Sequence, residues 1–261
     1  MSDTSVASMP NVDGNAPALS LERLTGPRRE AVIRDVSLAV GQGATHVVLG
    51  QMHSGKSMLV RLVLGLERAT FGTISVNGVT VNAASPNEHD LRELRRRVGV
   101  VFDSSALVSR LTLLENVELP LAEHTPVHEP NARDRAMALL RDVGVVATVD
   151  RTADTISRLD RRRTALARAL ALEPAVLLID EPGNGLDPHA AAELDETLRA
   201  LQERHGFGML ICSQEVRYAF HWPNAVSVLV AGRIVEAGSL DDLLHSRHET
   251  VRRFVDRRGV A

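Results

Sequence analysis

Eight residues constrain this chain more than any other stretch. Gly50-Gln51-Met52-His53-Ser54-Gly55-Lys56-Ser57 fit the pattern G-x-x-x-x-G-K-[ST] at every fixed position. The preceding run, His46-Val47-Val48-Leu49, is apolar and β-branched and predicts a buried strand. The following run, Met58 to Leu64, predicts a helix. A strand, a glycine-bearing loop and a helix in that order make a phosphate cradle. Glycines let main-chain N–H groups curl around an anion, and the helix aims its positive end at the same point. Lys56 adds a point charge toward the β- and γ-phosphates, and Ser57 offers a hydroxyl to Mg²⁺. The candidate nucleotide-binding residues are Gly50, Gln51, Met52, His53, Ser54, Gly55, Lys56, Ser57 and Met58. The alternative for the loop is a chance match in a glycine turn. His53 is expected to point to solvent rather than to the ligand.

A second anchor lies downstream. Ala175-Val176-Leu177-Leu178-Ile179-Asp180-Glu181-Pro182 is an apolar strand ending in two carboxylates. Alone, such a run is common and reads equally as a strand followed by a solvated acidic turn. Beside a phosphate loop, a strand that delivers Asp to its carboxyl edge is where nucleotide hydrolases hold Mg²⁺. Asp180 is therefore the expected metal-site residue together with Ser57. Glu181 is the expected catalytic residue, a general base that polarises the attacking water.

The remaining sequence sets the organisation around these anchors. Its 261 residues suit one α/β domain with subdomains. A net charge of −3 and 3% aromatics argue against a basic, base-stacking surface, so no nucleic-acid partner is expected. A single cysteine, Cys212, excludes a disulfide framework. Residues 1–18 lack the basic and apolar regions of a signal peptide and read as a disordered tail. No run of apolar residues is long enough to span a membrane. Strands are expected around Leu19–Leu24, Val36–Val40, Thr73–Val76 and Val98–Phe102, with a hairpin turn at Asn77-Gly78. Glu88–Arg97 predicts a short helix. Residues 104–155 switch to helical patterning broken at Pro120, Pro126 and Pro130. The runs Arg95–Arg97 and Arg161–Arg163 are expected on solvated faces. Tyr218, Phe220 and Trp222 are expected to pack or to face a subunit interface.

Further blocks carry a resemblance. Ala165-Leu166-Ala167-Arg168-Ala169-Leu170 precedes the acidic strand, and Gly185-Leu186-Asp187-Pro188 follows it. With the phosphate loop, this order over residues 19–245 resembles the ATP-binding subunit of an ABC transporter. The resemblance implies a P-loop α/β fold: a parallel core sheet, an antiparallel β-subdomain and a helical subdomain over about 104–155. Residues 246–261 would form a C-terminal tail or helix. It also implies ATP and Mg²⁺ as ligands and head-to-tail pairing with a second ABC ATPase subunit, in a homo- or heterodimer. Asp187 would lie in the loop that bridges the two subunits. An integral-membrane permease is the implied partner, at the cytoplasmic face of the inner membrane. Leu119–Thr125 and Ala169–Pro174 are similar to ATPases of the MCE type, which implies lipid transport and an MCE-domain partner.

The chain departs from that family pattern at several points. The signature loop, usually L-S-G-G-Q, is here Ile156-Ser157-Arg158-Leu159-Asp160. Its glycines let N–H groups approach the partner's γ-phosphate; Leu159 and Asp160 are expected to crowd and repel that phosphate, while Arg158 offers a compensating charge. The Gln expected after Phe102 is Asp103, and the expected Ser-His is Ser213-Gln214. Residues 19–40 hold no aromatic ring to stack on adenine. Three functions follow: a transporter ATPase with reduced activity in the isolated chain, a degenerate regulatory subunit, or a soluble ABC protein acting on nucleic acid or ribosomes. Against the last stands the lack of a second ATPase domain and of a basic stripe.

Overall fold

The structure is a computed structural model that describes residues 16–27, 32–124, 132–222 and 224–255. The chain opens with β1 (Leu19–Gly26), β2 (Ile33–Val40), β3 (Thr45–Leu49) and α1 (Lys56–Val63). Next come β4 (Phe71–Val76), β5 (Val79–Asn82), α2 (Glu88–Arg96) and β6 (Val98–Val101). Helices α3 (Leu113–His124), α4 (Ala132–Asp142) and α5 (Arg158–Leu170) follow. The chain continues through β7 (Val176–Asp180), α6 (Pro188–His205), β8 (Gly208–Ser213), α7 (Arg217–His221), β9 (Ala225–Val230), β10 (Arg233–Gly238), α8 (Leu240–Leu244) and α9 (Glu249–Val255).

Two sheets form. The larger runs β10-β9-β3-β8-β7-β6, with parallel pairing from β9 through β6 and an antiparallel β10 at its edge. Every residue of β3, β7 and β8 is buried, as expected for strands covered on both faces. The smaller sheet, β2-β1-β4-β5, is wholly antiparallel. Its β4–β5 hairpin turns at Asn77 (φ 43°) and Gly78 (φ 84°), and Val76 pairs with Val79. Two consecutive positive φ values match the right-handed twist of the flanking strands, which is why Asn-Gly encodes this turn.

Side-chain alternation divides the core between the two faces of the large sheet. Val48, Leu178 and Leu210 point toward the small sheet, and Leu59, Leu62 and Val63 of α1 fill the space between. Val47, Leu177, Ile179 and Met209 point the other way, onto Leu166 and Leu170 of α5 and Leu194 and Leu198 of α6. The phosphate-loop helix is thus clamped between two sheets.

Several expectations need correction. Pro120 lies inside α3 instead of breaking it; Pro126 and Pro130 fall outside the described residues. Ala18 is fully buried and its carbonyl accepts the Asn77 N–H at 3.1 Å, so the expected tail ends short of it. Residues 1–15 and 256–261 lie outside the described residues. Arg95 and Arg96 are exposed, as expected of a solvated face, and Arg95 Nε also donates to the Leu64 carbonyl at 2.8 Å at the end of α1, where the helix leaves carbonyls unpaired.

Candidate nucleotide site

The site grows from the junction of β3 and α1. Gly55, just before the helix, has φ 112°, and a Cβ there would lie 2.9 Å from Ile33 Cδ1. A left-handed residue pressed against β2 is a place for glycine. Helix α1 starts without a side-chain cap and without an acidic residue in its first turn. Its leading N–H groups are therefore left for an anion. Gln51, Met52, His53 and Ser57 are exposed, while Gly50, Ser54, Gly55 and Lys56 are buried and Met58 is half-buried. His53 is exposed, with φ 63°.

Lys56 is 6% exposed, and its ammonium has three partners. It donates to the carbonyls of Gly50 at 2.8 Å and Gln51 at 3.1 Å, and lies 3.1 Å from Glu181 Oε1. The other Glu181 oxygen accepts from Ser213 Oγ at 3.1 Å and from the Gln214 main-chain N–H at 3.0 Å. Gln214 thus meets Glu181 through its backbone rather than its side chain. Glu181 itself adopts φ 49°, uncommon for a residue with a side chain, and its N–H is tied to the Cys212 carbonyl at 2.8 Å. Ser213 contributes to the site although no motif in the sequence gave it a role.

Asp180 closes β7 beside this pair. It is 3% exposed, and its Oδ1 has no hydrogen-bond partner. Burial pushes its carboxyl above the usual carboxylate range; the hydrogen bond from Ser57 pulls the other way, and the Glu181 charge adds to the rise. An orphaned, desolvated carboxylate oxygen beside a serine hydroxyl is a donor set that fits Mg²⁺.

The segment Ile156–Asp160 is built differently. Ser157 caps α5, its Oγ accepting from the Asp160 N–H at 3.0 Å, and Asp160 sits in the first turn. Leu159 is half-buried and packs against the core, as does Ile156. Arg158 is exposed, and its Nη1 donates to the carbonyl of Gly185 in its own chain at 2.6 Å. Arg161–Arg163 do not form a solvated face. Arg161 bonds the Ala153 carbonyl at 3.2 Å, Arg163 pairs with Glu193 at 3.0 Å, and Arg162 is 2% exposed beneath the loops after β6 and β7. Asp103 turns toward Arg162 and Asn184. Asp187 caps α6 by accepting from the N–H groups of His189 and Ala190, and the Ala190 bond leads in holding its carboxyl below the usual range. Tyr218 and Trp222 are buried and Phe220 packs against the same core.

A phosphate loop between two sheets, with an acidic pair at the end of a parallel strand two positions away, defines an α/β P-loop nucleotide-binding domain. The pattern of the ABC transporter family matches residues 33–184, more than half of the chain. This chain belongs to that family and carries its ATP-binding domain. It is similar to the methionine import ATP-binding protein MetN 1 of Rhodococcus jostii (strain RHA1), at 37% identity over 85% of this chain and 65% of that protein. It is also similar to the glycine betaine/proline betaine transport system ATP-binding protein ProV of Escherichia coli (strain K12), at 33% identity over 87% of this chain and 56% of that one. The chain therefore spans about three fifths of the length of these curated relatives. Among solved structures, an ATP-binding cassette described as dimeric, in a post-hydrolysis state bound to ADP and Pi, matches with TM-score 0.74 and 25% identity, over 85% of this chain and 98% of that one. Among the described residues no helix is long and apolar enough to cross a membrane.

Proposed function

We propose that this chain is the ATP-binding subunit of an ABC importer and couples MgATP binding to the movement of a separate membrane permease. The observation that carries this reading is the convergence of Lys56, Ser57, Asp180 and Glu181 on one cradle. Ser57 and Asp180 would hold Mg²⁺, which when bound supplies charge neutralisation to the phosphates. An arriving phosphate competes with Glu181 for the Lys56 ammonium. Glu181, released from that pair but still held by Ser213 and the Gln214 N–H, is then the carboxylate that accepts a proton from water.

The relatives' names favour a small solute such as methionine as the cargo and do not support the lipid reading. That reading, with its MCE-domain partner, rests on two short phrases of sequence. In either case the permease would meet the surface of about residues 104–155, at the cytoplasmic face of the inner membrane, and Asp187 would lie at the contact with a second ATPase. The capped, acidic start of α5 favours a second ATPase of different sequence that brings an ordinary signature loop to this phosphate loop. The same feature sustains the alternative of a regulatory subunit that hydrolyses little.

Two measurements test the proposal. A tagged chain purified from its own membranes is expected to bring a permease and a second, different ATPase, read by native mass spectrometry. Two copies of this chain with no other ATPase overturn the asymmetric pairing, and the absence of any membrane protein overturns the transporter reading. The isolated chain is expected to release phosphate at least about 10²-fold more slowly than an ordinary family member, since one lost preorganised donor costs about 10²–10³ in rate. Robust turnover by the isolated chain that Glu181→Gln removes would show that the altered signature does not disable hydrolysis.

A further inference from the structure

Arg162 is among the largest fully buried side chains of the described residues, yet it is charged. It lies in the second turn of α5 and reaches two loops at once. Its Nη1 donates to the Phe102 carbonyl at 2.6 Å, and its Nη2 donates to Asp103 Oδ1 at 3.0 Å. The same Nη2 makes longer contacts, 3.4 Å each, with the carbonyls of Glu181 and Asn184. Asn184 adds a second donor to Asp103 Oδ1 at 2.9 Å.

A buried cation needs a compensating charge. Here Asp103 supplies it, although Asp103 itself is half exposed. The guanidinium touches the Asp103 carboxylate on one side and the Glu181 carbonyl on the other. Asp103 therefore stands one side chain away from the residue read as the general base. An uncompensated carboxylate there would repel a γ-phosphate, and a triphosphate would feel it more than a diphosphate.

We propose that Arg162 is a positioning residue of the nucleotide site: it neutralises Asp103 and ties the loop after β6 to the loop after β7, so that MgATP binds beside an aspartate. The proposal deepens the ATP-binding reading above and rests on it. It separates Arg162 from an ordinary core residue, because a packing role would affect all nucleotides alike.

The experiment is calorimetric titration of the full chain with MgATP and MgADP. Arg162→Met is expected to weaken MgATP about tenfold, the scale of one unpaired charge near a site boundary, while MgADP changes less than about threefold. Adding Asp103→Asn to that variant is expected to restore MgATP to within about threefold of wild type, because it removes the unpaired charge. Equal losses for both nucleotides without rescue, or no loss for either, overturn the proposal. Should Arg162→Met fail to fold, Asp103→Asn alone decides, since it alters a half-exposed side chain. It is expected to tighten MgATP about threefold and leave MgADP nearly unmoved. An unchanged or weaker MgATP complex overturns the proposal. Wild-type chain that binds neither nucleotide is a distinguishable failure: the reading of the phosphate loop falls, and this proposal with it.

Discussion

Helices α1 and α5 both begin at loops that the family uses to touch phosphate, and they begin in opposite ways. Helix α1 follows a left-handed Gly55 and has no side-chain cap and no acid in its first turn. Helix α5 follows Ser157, whose hydroxyl takes the Asp160 N–H, and carries Asp160 in that turn. An uncapped start leaves N–H groups and the positive end of the helix dipole for a ligand. A capped, acidic start consumes part of both within the chain itself. One helix end is kept open at a cost in local stability, while the other is stabilised and closed. The difference teaches that a few side chains at the start of a helix decide how many of its first N–H groups its own chain satisfies.

The largest expected effect lies on the open end. Lys56→Ala should abolish MgATP binding in calorimetry, because the loop then loses its only charged donor among the described residues. Equal affinity for wild type and variant would break the comparison at its root.

A smaller effect concerns Asp180 and has a definite sign. Its pKa is raised, chiefly by burial, so the folded state holds a proton more readily than the unfolded chain does. Asp180 thus opposes stability at neutral pH, and that opposition fades as pH falls through the raised folded value. Asp180→Asn is expected to raise the melting temperature of the nucleotide-free chain at pH 7–8 by roughly 2–4 °C. The gain should shrink toward acid, and Mg²⁺ should no longer strengthen nucleotide binding in the variant. A lower melting temperature would show that the Ser57 hydrogen bond and the Lys56 charge outweigh the cost of burying the carboxylate.

The smallest effect sharpens the other side. Ser157→Ala removes the α5 cap and should cost about 1 kcal/mol in urea unfolding. The isolated chain should keep its nucleotide affinity, since this helix end serves its own backbone. A drop in ATP affinity would mean that the two helix ends are coupled within one chain.

The sequence made the open end legible and the closed end only partly so. Gly50 to Ser57 announces itself because its pattern is local: strand, glycine turn and helix lie within about twenty residues, and each obeys its own periodicity. Asp180 and Glu181 were legible for the same reason, at the end of an apolar run. The hairpin at Asn77-Gly78 needed only the two residues that form it. Arg162 was hidden, because a triple arginine looks like a solvated face. Its burial depends on carbonyls at 102, 181 and 184, which only the fold assembles. Strands β9 and β10 escaped notice because β9 finds its partner in β3, about 180 residues earlier. Pro120 misled in the other direction, since packing of α3 outweighed its intrinsic break.

The turn between β9 and β10 joins parts made at very different times. The Gly232 N–H donates to the Ser54 carbonyl in the phosphate loop at 2.9 Å, and the Gly232 carbonyl accepts from Arg34 of β2 at 2.8 Å. A Cβ on Gly232 would lie 1.6 Å from the Val32 oxygen, so the bare peptide alone fits that slot. During synthesis the loop leaves the ribosome long before this peptide does. A nascent chain ending ahead of residue 232 holds the loop's full sequence without the clasp that seats it. The last main-chain clasp on the phosphate loop is therefore set only once this glycine has been made.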